Sequence, residues 1–117
     1  MIQIQNQEQM QDFMNKYNGH YYWIFKHSAT CPISRRAFRE LEDFLETPQG
    51  SLLPVAMIVV QQARDVSNEI AEKYGVQHQS PQIFLVKQNE VVWHASHGQI
   101  TAQQLLKVTT EQLGRGE

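Results

Sequence analysis

One side chain in this 117-residue chain is suited to covalent redox chemistry, and it occurs once: Cys31, in Thr30-Cys31-Pro32-Ile33-Ser34-Arg35-Arg36. A thiolate is the nucleophile and metal ligand; a neutral thiol is neither. The surrounding residues favour the thiolate. Pro32 suits the first position of a helix, because its missing N–H would have had no partner there. Cys31 therefore falls at a helix N-terminus, where unpaired N–H groups and a partial positive charge stabilise an anion. Lys26, His27, Arg35 and Arg36 are near in sequence and add positive potential. The alternative is a packing cysteine, a small buried hydrophobe. Arg35 and Arg36 could equally be solvated charges. At helical spacing they point about 100° apart, so both cannot face one ligand.

A second feature is Ser80-Pro81, directly before an apolar run. Proline in a central strand is tolerated only at its first residue. A trans bond there would be a plain strand boundary. A cis bond would turn the Ser80 backbone toward the thiol, leaving its N–H and C=O free for an extended substrate. X–Pro bonds are cis in only ~5–6% of cases, so the dipeptide alone does not decide. His27 and His78 are the histidines expected nearest the thiol, and each reads first as a hydrogen-bonded structural residue. No metal site is expected. His94 and His97 are three apart on or just beyond a strand and would not share a face there.

The elements that must position these residues alternate. Asn6 can cap a helix over about 7–17, with Met10, Phe13, Met14 and Tyr17 on one face, ended by Asn18-Gly19. His20 to His27 is aromatic and β-favouring and reads as a buried strand. Pro32 to about Glu46 is helical, with Ile33, Ala37, Phe38, Leu41 and Leu45 at the right spacing. Thr47-Pro48-Gln49-Gly50 breaks the chain. Pro54 to Val60 is a short apolar run, the mark of a strand covered on both faces. Ser67 can cap a helix over about 68–74, closed by Gly75. Gln82–Lys87 and Val91–Ala95 flank the turn Gln88-Asn89-Glu90 as a hairpin. Thr101 caps a last helix to about Leu113, and residues 114–117 are expected to fray. Strands separated by helices require a parallel core with right-handed crossovers, and the hairpin adds antiparallel strands. The expectation is a three-layer α/β fold with a central mixed sheet of about four strands flanked by helices.

Composition narrows the function. At 117 residues the chain is expected to form a single domain, 1–117. Its formal charge of −2 lacks the basic excess of a generic nucleic-acid binder. No apolar run approaches the ~18 residues of a membrane span. The start, Met1 to Asn6, has neither a basic segment nor an apolar one, so no secretory signal is read and a cytoplasmic protein is expected. A single cysteine permits no internal disulfide.

Taken together, these residues resemble the thioredoxin fold over essentially the whole chain: element order, cysteine at the first strand–helix junction, proline before the hairpin. The resemblance implies that Pro81 is a cis-proline facing the thiol. Serine stands at position 34, where a C-x-x-C motif would have its second cysteine. The match is closer to the monothiol bacilliredoxins, YtxJ-like proteins of the bacillithiol system. Its carriers are Phe25 to Ser34, Ser80-Pro81-Gln82, Val92-Trp93-His94-Ala95-Ser96-His97 and Ile100-Thr101. Gly98 departs from that pattern, which has an aromatic residue there.

The resemblance implies thiol–disulfide exchange. Cys31 would be the nucleophile that takes bacillithiol from mixed disulfides on protein cysteines, and a second bacillithiol would release it. Thr30, Pro32 and Ser34 would stabilise the thiol, Ser34 through a hydrogen bond to the sulfur; equally, Ser34 could be a first-turn serine that satisfies a backbone group. Ser80 and Pro81 would contact substrate. Lys26 and Arg35, with Arg36 and Arg39 as further candidates, would hold bacillithiol's carboxylates. The implied partners are bacillithiol, as co-substrate, and bacillithiolated client proteins, with no tightly bound cofactor, no nucleic acid and no membrane. Two other classes stay open. One is an iron–sulfur carrier of the monothiol-glutaredoxin type, although the C-G-F-S string of those carriers is absent. The other is a noncatalytic thioredoxin-like redox sensor or binding module.

Overall fold

The computed structural model describes residues 1–115; Gly116 and Glu117, the end of the tail expected to fray, lie outside the described residues. The chain runs β1 (Ile2–Ile4), α1 (Gln7–Lys16), β2 (Tyr22–His27), α2 (Pro32–Leu45), β3 (Val55–Val59), α3 (Arg64–Tyr74), β4 (Gln82–Lys87), β5 (Glu90–Ser96) and α4 (Ala102–Arg115). Single 3₁₀ turns lie at Gly50–Leu52 and His97–Gln99. The strands form one five-stranded mixed sheet in the order β1-β3-β2-β4-β5. β1 and β2 run parallel to β3, while β4 runs antiparallel to both β2 and β5.

The fifth strand is β1, at the edge, where only Ile4 of three residues is buried. A segment that short carries almost no periodic signal, and pairing with β3 creates it. β2 is central, and its first five residues are buried. Side-chain alternation along it builds two cores. Tyr22 and Ile24 pack with Met10, Phe13, Val66 and Ile70 under α1 and α3. Trp23 and Phe25 pack with Leu41, Phe44, Leu105 and Val108 under α2 and α4. Burying each large side chain is worth about 1.5–3 kcal/mol.

Local signals set most helix ends. Asn6 Oδ1 accepts the Gln9 N–H at 2.8 Å, and Thr101 Oγ1 accepts the Gln104 N–H at 3.1 Å. The start of α3 differs from expectation. It begins at Arg64 after Ala63, with no side-chain cap, and Ser67 is fully buried inside it. The Ala63 N–H bonded to Val59 O winds the chain into the helix early, and Val66 and Ile70 supply the buried stripe. Likewise α4 continues past Leu113 to Arg115.

Candidate active site

β2 ends at His27, and the turn 28–30 delivers Cys31 to the start of α2. Cys31 is the N-cap, with extended backbone (φ −93°, ψ 124°), Pro32 beside it at the first helical position, and no side chain capping the helix. Its N–H donates to Ser28 O at 3.2 Å, and its carbonyl accepts the Arg35 N–H at 3.0 Å. The first N–H groups of a helix have no partner within it, and the half-buried thiol sits at that end of α2.

Ser34, fully buried, faces another way. Its oxygen accepts the Ser28 N–H at 2.8 Å and pairs with His27 Nδ1 at 2.8 Å. Of the two readings of Ser34, the hydroxyl takes the one that satisfies a backbone group, and it ties the first turn of α2 back to β2. His27 is sandwiched between Phe25 and Phe38, its ring centroid 5.6 and 5.1 Å from theirs. Burial pushes its pKa below the ordinary histidine value, which keeps it neutral at pH 7. The Thr30 hydroxyl accepts from Gln61 Nε2 at 3.3 Å, and the same nitrogen donates to Ser28 Oγ at 2.8 Å. Gln61, just beyond β3, therefore braces the turn that carries the thiol. Nothing in the sequence links it to residue 28.

The Ser80–Pro81 peptide bond is cis. Gln82 pairs with Lys26 across β4 and β2, so Pro81 enters the sheet at the end from which Cys31 leaves. Pro81 O accepts the His97 N–H at 3.0 Å, and Ser80 Oγ is buried without a hydrogen-bond partner among the described residues. Beside α2 lies a cleft of about 230 Å³ lined by Ile33, Arg36, Ala37, His97, Gly98 and Ile100. Ile33 is 51% exposed there, an apolar side chain open to solvent two residues from the thiol. Arg36 lines this cleft and Arg35 does not, as their angular separation requires. Gly98, the departure from the family pattern, is part of its wall. A larger cavity of about 610 Å³ lies at the opposite pole, by Lys16, Tyr21 and Lys87, away from the thiol.

Lys26 is corrected. It is fully buried and cannot join a cationic rim. Strand alternation puts it on the α1/α3 face with Tyr22 and Ile24, opposite the face that carries α2. Its ammonium donates to Ser67 O at 2.9 Å and bonds His78 Nδ1 at 3.2 Å. His78, an exposed residue of the segment leading to Ser80, is thereby tied to β2. Among the described residues, no three His, Cys, Asp or Glu side chains gather to hold a metal, and no helix is long and apolar enough to cross a membrane.

A parallel core with an antiparallel hairpin, a thiol at the β2–α2 junction and a cis-proline entering the sheet beside it define a thioredoxin-fold thiol–disulfide oxidoreductase. Solved structures agree on the fold. One, described as a proposed oxidoreductase with a thioredoxin fold, is 35% identical, with TM-score 0.80 over 91% of this chain and 90% of that one. Chloroplastic thioredoxin z is 17% identical, with TM-score 0.76 over 97% and 95%. Fasciola hepatica thioredoxin is 18% identical, with TM-score 0.72 over 95% and 98%. Residues 2–105 match the family of monothiol bacilliredoxin BrxC, and the chain belongs to that family.

Proposed function

We propose that this protein removes bacillithiol from mixed disulfides on protein cysteines by a monothiol mechanism. The Cys31 thiolate attacks the bacillithiol sulfur of the mixed disulfide. That S–S bond breaks, the client cysteine leaves as a thiolate, and the adduct passes to Cys31. A second bacillithiol thiolate then attacks the adduct sulfur, giving bacillithiol disulfide and restoring Cys31. Bacillithiol is the co-substrate, and no tightly bound cofactor is used. The reaction belongs in the cytoplasm, where thiols are kept reduced.

The observation that carries this reading is the lone thiol at the N-cap of α2, with buried Ser34 where a resolving cysteine would stand. Without a second cysteine the mixed disulfide cannot be resolved internally, so an external thiol must do it. On this reading the Ser80 backbone, turned by the cis bond to Pro81, pairs with the extended substrate. In the cleft beside α2, Ile33 offers apolar contact while Arg36 offers a guanidinium for a carboxylate. Thr30 and Pro32 act by fixing the geometry of the turn and helix start.

Intact mass spectrometry tests it. Reduced protein mixed with a bacillithiolated client should gain the adduct on Cys31 as the client thiol is released, and Cys31→Ser should abolish transfer. A client that stays modified beside an unmodified Cys31 sinks the assignment.

A further inference from the structure

Lys26 is the one fully buried charged side chain among the described residues, and both its hydrogen-bond partners are neutral: Ser67 O at 2.9 Å and His78 Nδ1 at 3.2 Å. Burying an ammonium without a counter-charge is costly, and such costs are met where function requires them. Directly across the ladder stands Gln82, 1% exposed and on the same face. Its Nε2 donates to Gln77 O at 3.1 Å, and its Oε1 accepts the Gln79 N–H at 3.3 Å. Ser67 Oγ bonds His78 Nδ1 at 3.2 Å. Gln82 thus grips the backbone of residues 77 and 79, while Lys26 and Ser67 both grip the His78 ring. They belong to the stretch after α3 that has no helix or strand bonds of its own and runs straight into Ser80 and Pro81.

We propose that Lys26, Gln82 and Ser67 form a buried polar clamp that, by gripping the exposed His78 and its neighbours, positions the 77–80 segment, so that the Ser80 backbone is held for an extended substrate at Cys31. Lys26 and Gln82 are positioning residues that touch neither substrate nor sulfur. This inference rests on the reading of Cys31 as the exchange nucleophile. The arrangement also accounts for a lysine where an aliphatic residue would fill the same space. An aliphatic side chain would offer a hydrogen bond to neither Ser67 O nor the His78 ring.

The test compares two reactions of the same thiol. Alkylation of Cys31 by iodoacetamide needs no segment to bind the reagent. Exchange with a peptide joined to 2-nitro-5-thiobenzoate through a disulfide, read by release of the coloured thiolate, does need it. In Lys26→Met and Gln82→Leu the peptide rate should fall about tenfold while the alkylation rate changes less than twofold. The Gln79 amide, which donates to Gln82 Oε1, should exchange with deuterium at least tenfold faster, while the amides of β2 and β3 keep their protection. His78→Ala, at an exposed position, should give the same pattern about threefold in size. His78→Asn, which keeps an acceptor for Lys26, should restore most of the rate. If Lys26→Met fails to fold, the two His78 variants carry the test.

Equal loss of both chemical rates, or retained protection of the Gln79 amide in the variants, overturns the clamp. Hydrogen exchange involves no thiol chemistry, which separates the two ideas. A wild type that does not exchange with the peptide, but whose variants lose protection of the Gln79 amide, counts against the exchange reading and supports the clamp.

Discussion

Ser34 holds the turn that presents the thiol. Its oxygen takes the Ser28 N–H and pairs with His27 Nδ1, each at 2.8 Å, in a fully buried site. Removing one partner of a buried hydrogen bond costs the desolvation of the group left behind, about 1–3 kcal/mol. Ser34→Ala should therefore lower the unfolding free energy by about that amount, read by urea denaturation. A serine whose chief role were at the sulfur would instead change the rate of Cys31 alkylation and leave stability nearly untouched. Gln61 acts at the same scale, with one amide bridging Ser28 and Thr30 from the neighbouring β–α loop.

Two short connections decide how the elements meet. The turn between β4 and β5 places Gln88 and Asn89 at φ 53° and 64°, the left-handed pair that a two-residue hairpin requires. After α2, Gly50 is buried against the helix end, where a Cβ would overlap the Phe44 carbonyl oxygen. Thr47 Oγ1 donates to that same carbonyl and accepts the Gly50 N–H at 2.9 Å, so the chain folds tightly over the end of α2. Gly50→Ala should cost about 3 kcal/mol through steric overlap with rigid backbone. By calorimetry that is a fall in Tm of roughly 10 °C or more. An unchanged Tm would show that the 3₁₀ turn 50–52 moves aside freely.

For the molecule as a whole, a central ammonium links stability to pH. Burial lowers the Lys26 pKa to about 8 from the ordinary value of 10.5. Between those values the unfolded chain binds a proton that the folded chain has released, so stability rises with pH across the window. Below about 8 both states are protonated, and the folded state carries the full cost. His78 stays neutral throughout, because desolvation first, then Lys26 and Arg64, hold its pKa below the ordinary histidine value. Measured against Lys26→Met, the wild type should gain ~1 kcal/mol of stability between pH 7 and pH 9. Above about pH 10 the raised pKa values of Tyr22 and Tyr74 act in the other direction, in both proteins alike. Urea midpoints at the two pH values test it, and parallel profiles would mean that Lys26 keeps its proton in the core.

The sequence by itself determined the order of the main elements, the thiol at a β–α junction and the strand-opening proline. Each of these is local: apolar spacing, a proline at a helix start, a lone cysteine. It did not reveal β1, because three residues with one buried side chain become a strand only when β3 offers an edge. It placed Ser67 at a helix start because serine is a good cap, whereas the fold buries that serine beneath the 77–80 segment. It read Lys26 as a surface cation because lysine is usually exposed. Only the central position of β2, covered on both faces, turns Lys26 inward toward α3 and pairs it with Gln82. Tertiary structure alone chose Arg36 over Arg35 for the cleft, joined Ser34 to His27, and brought Gln61 across to the thiol turn. Contacts between residues far apart in sequence depend on which strands become neighbours, and local spacing carries no record of that.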